Sequence, residues 1–421
     1  MKFRPISSRP ALAAALAFGV IGVAIIGAPA IAAGPTYSKN FVAAAAPTQT
    51  ALNKAKTQKP DAAGMAALKQ QVDATVAAAS NPDDKYAAGG LLISYGGIAG
   101  DTAAQGQGVR LMIDSGKAPP EQLPKLHFYA GNFAIQANDY ATAQTELQAA
   151  ADAGYNDPST FTSLAEAKFG LNQFADGLAA LQKAIALQAA TGQPVPEGWY
   201  KRGISIAYKA KLPSQTSQLA SQMVIAYPSK ENWTIAIDTL RDAANYPARE
   251  ELDLMRLMAR TNSYEANTDY LEYAQDADPR RFPGEVKGVL ETGIASGMLK
   301  ANDPSVADSL TLIRSRLAAD QASLPAAERD AHVPSATATQ IIGTADAFLS
   351  YGQPAKAIEL YQLALSKPGV DADVALTRMG IAQVDSGDYA GAQASFAKVN
   401  GPRAPLAQLW IVYAKQKAAG K

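Results

Sequence analysis

The chain has 421 residues, 48% of them hydrophobic and 18% charged, with 38 basic residues against 38 acidic ones and no cysteine. It is too apolar to remain disordered and too evenly charged to offer nucleic acid the basic face that phosphates require. The missing thiols exclude disulfides, thiol nucleophiles and cysteine-ligated zinc.

The first element is not part of a fold. "MKFRPISSRP" carries Lys2, Arg4 and Arg9 with no acid, "ALAAALAFGVIGVAIIGA" is uncharged and apolar, and "APAIAAGP" follows. This order reads as a secretory signal peptide over residues 1–32, cut after Ala32 at the small-residue site Ala30-Ile31-Ala32. The alternative is an uncleaved anchor in the inner membrane. The apolar run is shorter than the ~20 residues a span needs, and it holds three glycines. Cleavage leaves a net charge near −3, since the leader removes three basic groups and no acid. The mature chain is expected to be periplasmic or secreted, with no stable membrane span.

Residues 33–82 form a lead-in segment, in which "DAAGMAALKQQVDATVAAAS" predicts a helix entered by "QKPD". From residue 83 a repeat takes over. Gly131, Tyr140, Ala143, Leu147 and Ala150 return as Ala165, Phe174, Gly177, Leu181 and Ala184, each 34 positions later. A fixed period of this size marks a solenoid. Apolar positions three and four apart flank the short breaks "QAND" and "GLNQ", so each unit is a pair of amphipathic helices joined by a tight turn.

Small residues early in the first helix, an aromatic opening the second and a closing Pro resemble the tetratricopeptide repeat. Trp199, Gly203, Leu212, Leu219 and Pro228 supply a third copy, and Ala345, Ala357, Tyr361, Ala364 and Pro368 another. Gly380, Tyr389, Ala392 and Phe396 make the cleanest. "YLEYAQDADPRRFPGEVKGVLETG" and "SYGGIAGDTAAQGQGVRLMI" are degraded copies. The resemblance implies an all-α, right-handed superhelical solenoid of antiparallel helix pairs over residues 83–300 and again over 336–421. Between them, residues 301–335 are expected to be one helix, starting at Asp303-Pro304, and then a looser link to Pro334. "PLAQLWIVYAKQKAAGK" is expected to cap the last repeat and stay wetted on its outer side. Ala375 is expected to be exposed.

Chemistry is sparse. His127 falls in the slot of Phe161 and is expected to pack, while His332 lies in the link without patterned carboxylates. No G-x-S-x-G elbow exists. "GGLLISYGG" follows no predicted strand and has no Lys-Ser/Thr, which argues against a phosphate loop. The charges of "REELDLMR" lie at helical intervals and predict a solvated face. Arg280 and Arg281 predict exposed arginines in a turn rather than an anion site. No metal and no cofactor are expected.

The function that follows is an exported, non-catalytic interaction scaffold for a peptide or protein, with a structural spacer or an envelope enzyme as alternatives. By the same resemblance, the groove on the first helices would be lined by Phe128, Asn132, Thr162, Glu166, Phe169, Tyr200 and Tyr208. Tyr200 and Tyr208 would face one side, with Phe169 beside them. The carboxylate clamp of some family members is incomplete: Asn132 and Lys201 match it, but Phe128, Ser163 and Glu197 replace its Lys, Asn and Lys.

Overall fold

The computed structural model describes residues 34–420, so the expected signal peptide over residues 1–32 lies outside the described residues. Among them are twenty α-helices, one short 3-10 turn and no strand. The chain divides into two units after Gln173.

Unit 1 contains α1 (Lys39–Thr57), α2 (Ala62–Ala77), α3 (Pro82–Ala99), α4 (Thr102–Asp114), α5 (Leu123–Gln136), α6 (Tyr140–Asp152) and α7 (Pro158–Gly170). Six of these seven start where Ser38, Asp61, Asn81, Asp101, Asp139 or Asp157 accepts a hydrogen bond from a backbone N–H of the first turn. Such caps satisfy donors that the helix itself cannot. The lead-in segment holds a helix the patterning did not disclose, α1, which runs through Pro47. Asp84 ties it down. It is fully buried and accepts from Ser38 N (3.0 Å), Ser38 Oγ (2.7 Å) and Ser80 N (3.0 Å). Burial pushes its carboxyl up, but the hydrogen bonds from Ser38 and Ser80 outweigh this and hold it below the ordinary value.

The helix pairs are antiparallel. Advancing along α3 from Gly89 to Gly96 moves the contact back along α4 from Gly108 to Gln105. A Cβ at Gly89 would stand 2.5 Å from Gly108 O, and one at Gly108 would stand 2.6 Å from Gly89 O. The glycines of "GGLLISYGG" therefore serve helix–helix approach. In the α5–α6 pair a Cβ at Gly131 would overlap the Leu147 side chain, and Ala143, Leu147 and Ala150 are fully buried.

Unit 2 contains α8 (Phe174–Ala190), α9 (Glu197–Lys209), α10 (Pro213–Ala226), α11 (Lys230–Ala244), α12 (Ala248–Thr261), α13 (Asn267–Ala277) and α14 (Pro283–Ala295). It continues with α15 (Pro304–Ala331), α16 (Ala338–Ser350), α17 (Pro354–Leu365), α18 (Ala372–Asp385), α19 (Tyr389–Phe396) and α20 (Ala404–Ala418). Side-chain hydrogen bonds about one repeat apart in sequence align the first helices of successive pairs in parallel. Asn232 donates to Glu197 across 35 positions, Tyr208 to Asp242 across 34, and Arg378 to Asp346 across 32. The fold is thus the all-α, tetratricopeptide-like succession of helix pairs that the period predicts.

Four expectations are corrected within unit 2. The helix after Pro304 does not give way to a loose link: α15 continues past Pro325 to Ala331, although a proline removes one backbone donor. Ala375 is 0% exposed, because α18 is covered on every side from Ala375 through Val384. The "REELDLMR" face is not solvated, since every residue of α12 from Leu252 to Met258 is buried, Asp253 and Arg256 included. Lastly, α20 has no wetted outer side over Leu409–Ala414. It turns back on the early helices of its own unit. Trp410 Nε1 donates to Asp253 O (3.1 Å), Tyr413 OH to Arg260 O (3.3 Å) and Gln416 Nε2 to Val224 O (2.7 Å).

Candidate functional site

The seven groove candidates fall into both units, and each unit presents its own set. On α5, Phe128 and Asn132 are one helical turn apart and half-buried. Asn132 is committed at both ends of its amide: Nδ2 donates to Phe128 O (2.8 Å) and Oδ1 accepts from Ser163 Oγ (2.8 Å). That second bond fastens α7 to α5. Thr162 donates to Ser159 O (3.0 Å), and Glu166 is half-buried one turn further along α7. Phe169 is only 6% exposed and offers no open ring.

In unit 2, Tyr200 and Tyr208 do not share one environment. Tyr200 is 5% exposed and packs edge-on against Tyr227, with ring centroids 6.5 Å apart. Burial pushes its hydroxyl above the ordinary value. Tyr208 is half-buried and gives its hydroxyl to Asp242 Oδ2 (3.0 Å). Phe169 and Tyr200 are therefore packing residues. The reason is the periodicity itself: the first helix of each pair is flanked on both sides, so a ring on it is as readily an inter-pair filler as a lining group.

Lys201, the second clamp match, is held by Glu197 (3.1 Å) and Glu231 (3.3 Å). Its ammonium is neutralised within the chain. With Ser163 bonded to Asn132, the clamp positions are occupied by internal hydrogen bonds rather than converging on a ligand.

The structure adds what the spacing did not reveal. Phe128 lies 5.6 Å from Tyr129 and 5.3 Å from Tyr155, centroid to centroid, and Lys125 Nζ stands 5.7 Å over the Tyr129 ring. All three rings are half-buried. Tyr155 comes from the "GYNDP" turn between α6 and α7, so it reaches Phe128 from outside the helical register. A lone aromatic in an otherwise polar turn was the available signal. The burial pushing up the Tyr155 hydroxyl comes first, with Asp157 adding to it.

The two histidines have polar partners. His127 Nδ1 lies 2.6 Å from Glu146 Oε2, joining α5 to α6, so its role is a polar cross-brace. His332, at the end of α15, lies 3.5 Å from Glu359, a carboxylate that linear spacing did not place near it. Among the described residues no group of three or more His, Asp or Glu could hold a metal ion, and no helix is long and apolar enough to cross a membrane.

No family model matches the chain, and no curated protein matches it. Similar solved structures include a Naa15/Naa10 complex bound to HypK-THB, 14% identical over 89% of this chain and 60% of that one, with a TM-score of 0.38. The chain thus spans about 60% of that structure's length. A complex of the TPR2AB domain of yeast Sti1 with pHSP90 is 13% identical over 71% of this chain and 97% of that one, with a TM-score of 0.24. The Cut9-Hcn1 hetero-tetramer of APC/C is 12% identical over 89% of this chain and 76% of that one, with a TM-score of 0.22.

Proposed function

We propose that the protein is exported and acts as a non-catalytic scaffold, holding a peptide or partner protein at the aromatic cluster of Phe128, Tyr129 and Tyr155. The single observation that supports this is the cluster itself: three half-buried rings in contact, with a lysine ammonium beside them. Rings fixed this way give large contact area at little entropic cost, and aromatic side chains dominate interface energetics for that reason. Export rests on the basic, apolar and small-residue order of residues 1–32.

A photo-crosslinking residue in place of Tyr155, in cells carrying the full chain, tests the site. It should capture a recurrent partner, and Phe128→Ser with Tyr155→Ser should abolish capture of that partner through a crosslinker at Tyr129. A partner retained by the double variant would overturn the reading. N-terminal sequencing of the envelope protein should begin at Ala33, and Met1 there would favour the anchor.

A spacer without a dedicated ligand is the second reading. Two observations favour it: Phe169 and Tyr200 are buried, and Asn132 and Lys201 are satisfied internally. A spacer would show no recurrent crosslink at Tyr129 or Tyr155.

A further inference from the structure

Unit 2 carries a set of guanidinium groups that the scaffold reading does not use. Arg249 and Arg256 stand on α12, Arg281 in the turn before α14, Arg378 on α18 and Arg403 just before α20. Against these five are four carboxylates, Glu250, Asp253, Glu285 and Asp346. The carboxylates are committed. Arg256 binds Glu285 through two bonds (2.7 and 2.8 Å) and Asp253 through one (2.8 Å). Arg403 binds Asp253 (2.8 Å) and Glu250 (3.0 Å). Asp346 accepts from Arg378 Nη1 (2.6 Å) on one oxygen and from Tyr361 OH (2.7 Å) on the other.

What is left over is positive, and two of its arginines, Arg249 and Arg281, reach the surface. Among the described residues the Arg281 guanidinium reaches one carboxylate oxygen, Asp346 Oδ2 at 3.4 Å, which Arg378 already occupies. Its side chain is 38% exposed and lies over the Phe282 ring, 4.7 Å from the centroid. Arg249 is exposed and makes no ion pair among the described residues, while its carbonyl receives Arg378 Nη2 (3.4 Å). Buried Arg378 keeps one donor without a hydrogen bond: Nε is 3.5 Å from Asp253 Oδ2, outside bonding geometry. A guanidinium cannot shed its charge to relieve such crowding, and its planar fork matches the oxygens of carboxylate and phosphate.

We propose that Arg249 and Arg281, beside the buried Arg378–Asp346 pair, form a binding site for a compact oxyanion, a phosphate or carboxylate group. The electrostatics agree. Burial first, and then Arg378, Arg249 and Arg256 against the opposing pull of Asp346, hold the proton affinity of Arg281 below its ordinary value. An oxyanion there would receive forked hydrogen bonds and offset the excess charge.

The test is a thermal-shift and calorimetric titration of the mature chain with two probes, inorganic phosphate and N-acetylalanine, each against chloride at equal ionic strength. At least one probe should raise the melting temperature saturably, and which one does so identifies the source of the oxyanion. Arg281→Gln and Arg249→Gln should each weaken that binding by about tenfold or more, as loss of a charge-assisted bond does. Arg280→Gln, at a side chain 72% exposed, should leave it unchanged. No saturable response to either probe overturns the site, as does a response that survives both substitutions. Should Arg281→Gln fail to fold, the exposed Arg249→Gln variant decides alone.

Discussion

Arg256 and Glu285, 29 positions apart, meet side-on through two hydrogen bonds of 2.7 and 2.8 Å, with the arginine side chain 1% exposed. The pair joins α12 to α14 inside unit 2. Burial raises the Glu285 carboxyl, but Arg256 and the Tyr273 hydroxyl overcome this and hold it below its ordinary value; Asp253 is likewise held low, by Arg378, Arg256 and Arg403. A depressed folded-state pKa adds stability above the unfolded value of about 4, and this is lost as pH falls through the folded value. Arg256→Met should cost about 3–5 kcal/mol in urea unfolding at pH 7, because Glu285 is left buried and unpaired. Adding Glu285→Leu should restore much of the loss. A double variant no better than the single one would place the energy in packing.

The opposite pH behaviour is expected on α11 and α13. Burial is the largest cause of Asp238 and Asp276 rising to about 6, with neighbouring acids adding to it and Arg241 opposing. The folded state then holds protons that the unfolded chain releases from about pH 4, so these groups erode stability as pH climbs from about 4 through 6. Asp238→Asn should therefore stabilise the protein at pH 7 and change nothing below pH 4. Urea midpoints at pH 3.5 and 7 check this, and equal effects at both would contradict it.

Ala143 and Ala141 are two residues apart on α6, one buried and one exposed. Ala143→Leu should cost about 1–3 kcal/mol by overpacking, and Ala141→Leu should stay within about 0.5 kcal/mol. Ala375 now belongs with Ala143, and its change to Leu should be comparably destabilising. Melting curves of the three variants test the repeat alignment.

Tyr200 and Tyr208 should separate cleanly. Tyr200→Ser removes a buried ring and should cost about 3–5 kcal/mol. Tyr208→Phe removes one hydroxyl bond to Asp242, worth about 0.5–1.5 kcal/mol. A small cost at Tyr200, measured by urea unfolding, would return it to the groove.

The helix pairs and the small residues between them, Gly131 and Ala143, were legible because they are local, and the succession of pairs because it recurs at one period. Relationships across longer separations were not. Nothing in "REELDLMR" announces that Asp253 will meet Arg403 150 positions later, so its charges looked solvated. The repeat spacing does not extend to α1, which runs through Pro47. The candidate site failed in part for a related reason. A ring on a helix face is silent about which neighbour will cover it, which is why Phe169 and Tyr200 were placed in a groove and Tyr155 was overlooked.

Stacks whose members touch only adjacent members can begin folding anywhere and propagate. Unit 2 is not free to do so, because Gln416 bonds Val224 across 192 positions and Trp410 bonds Asp253 across 157. Contacts of such separation require loop closure before they contribute, which slows folding. During synthesis from the N-terminus, α10 and α12 emerge well before the helix that covers them. Their apolar and charged faces stay uncovered until the last segment arrives, and for that interval the chain depends on being kept from aggregating.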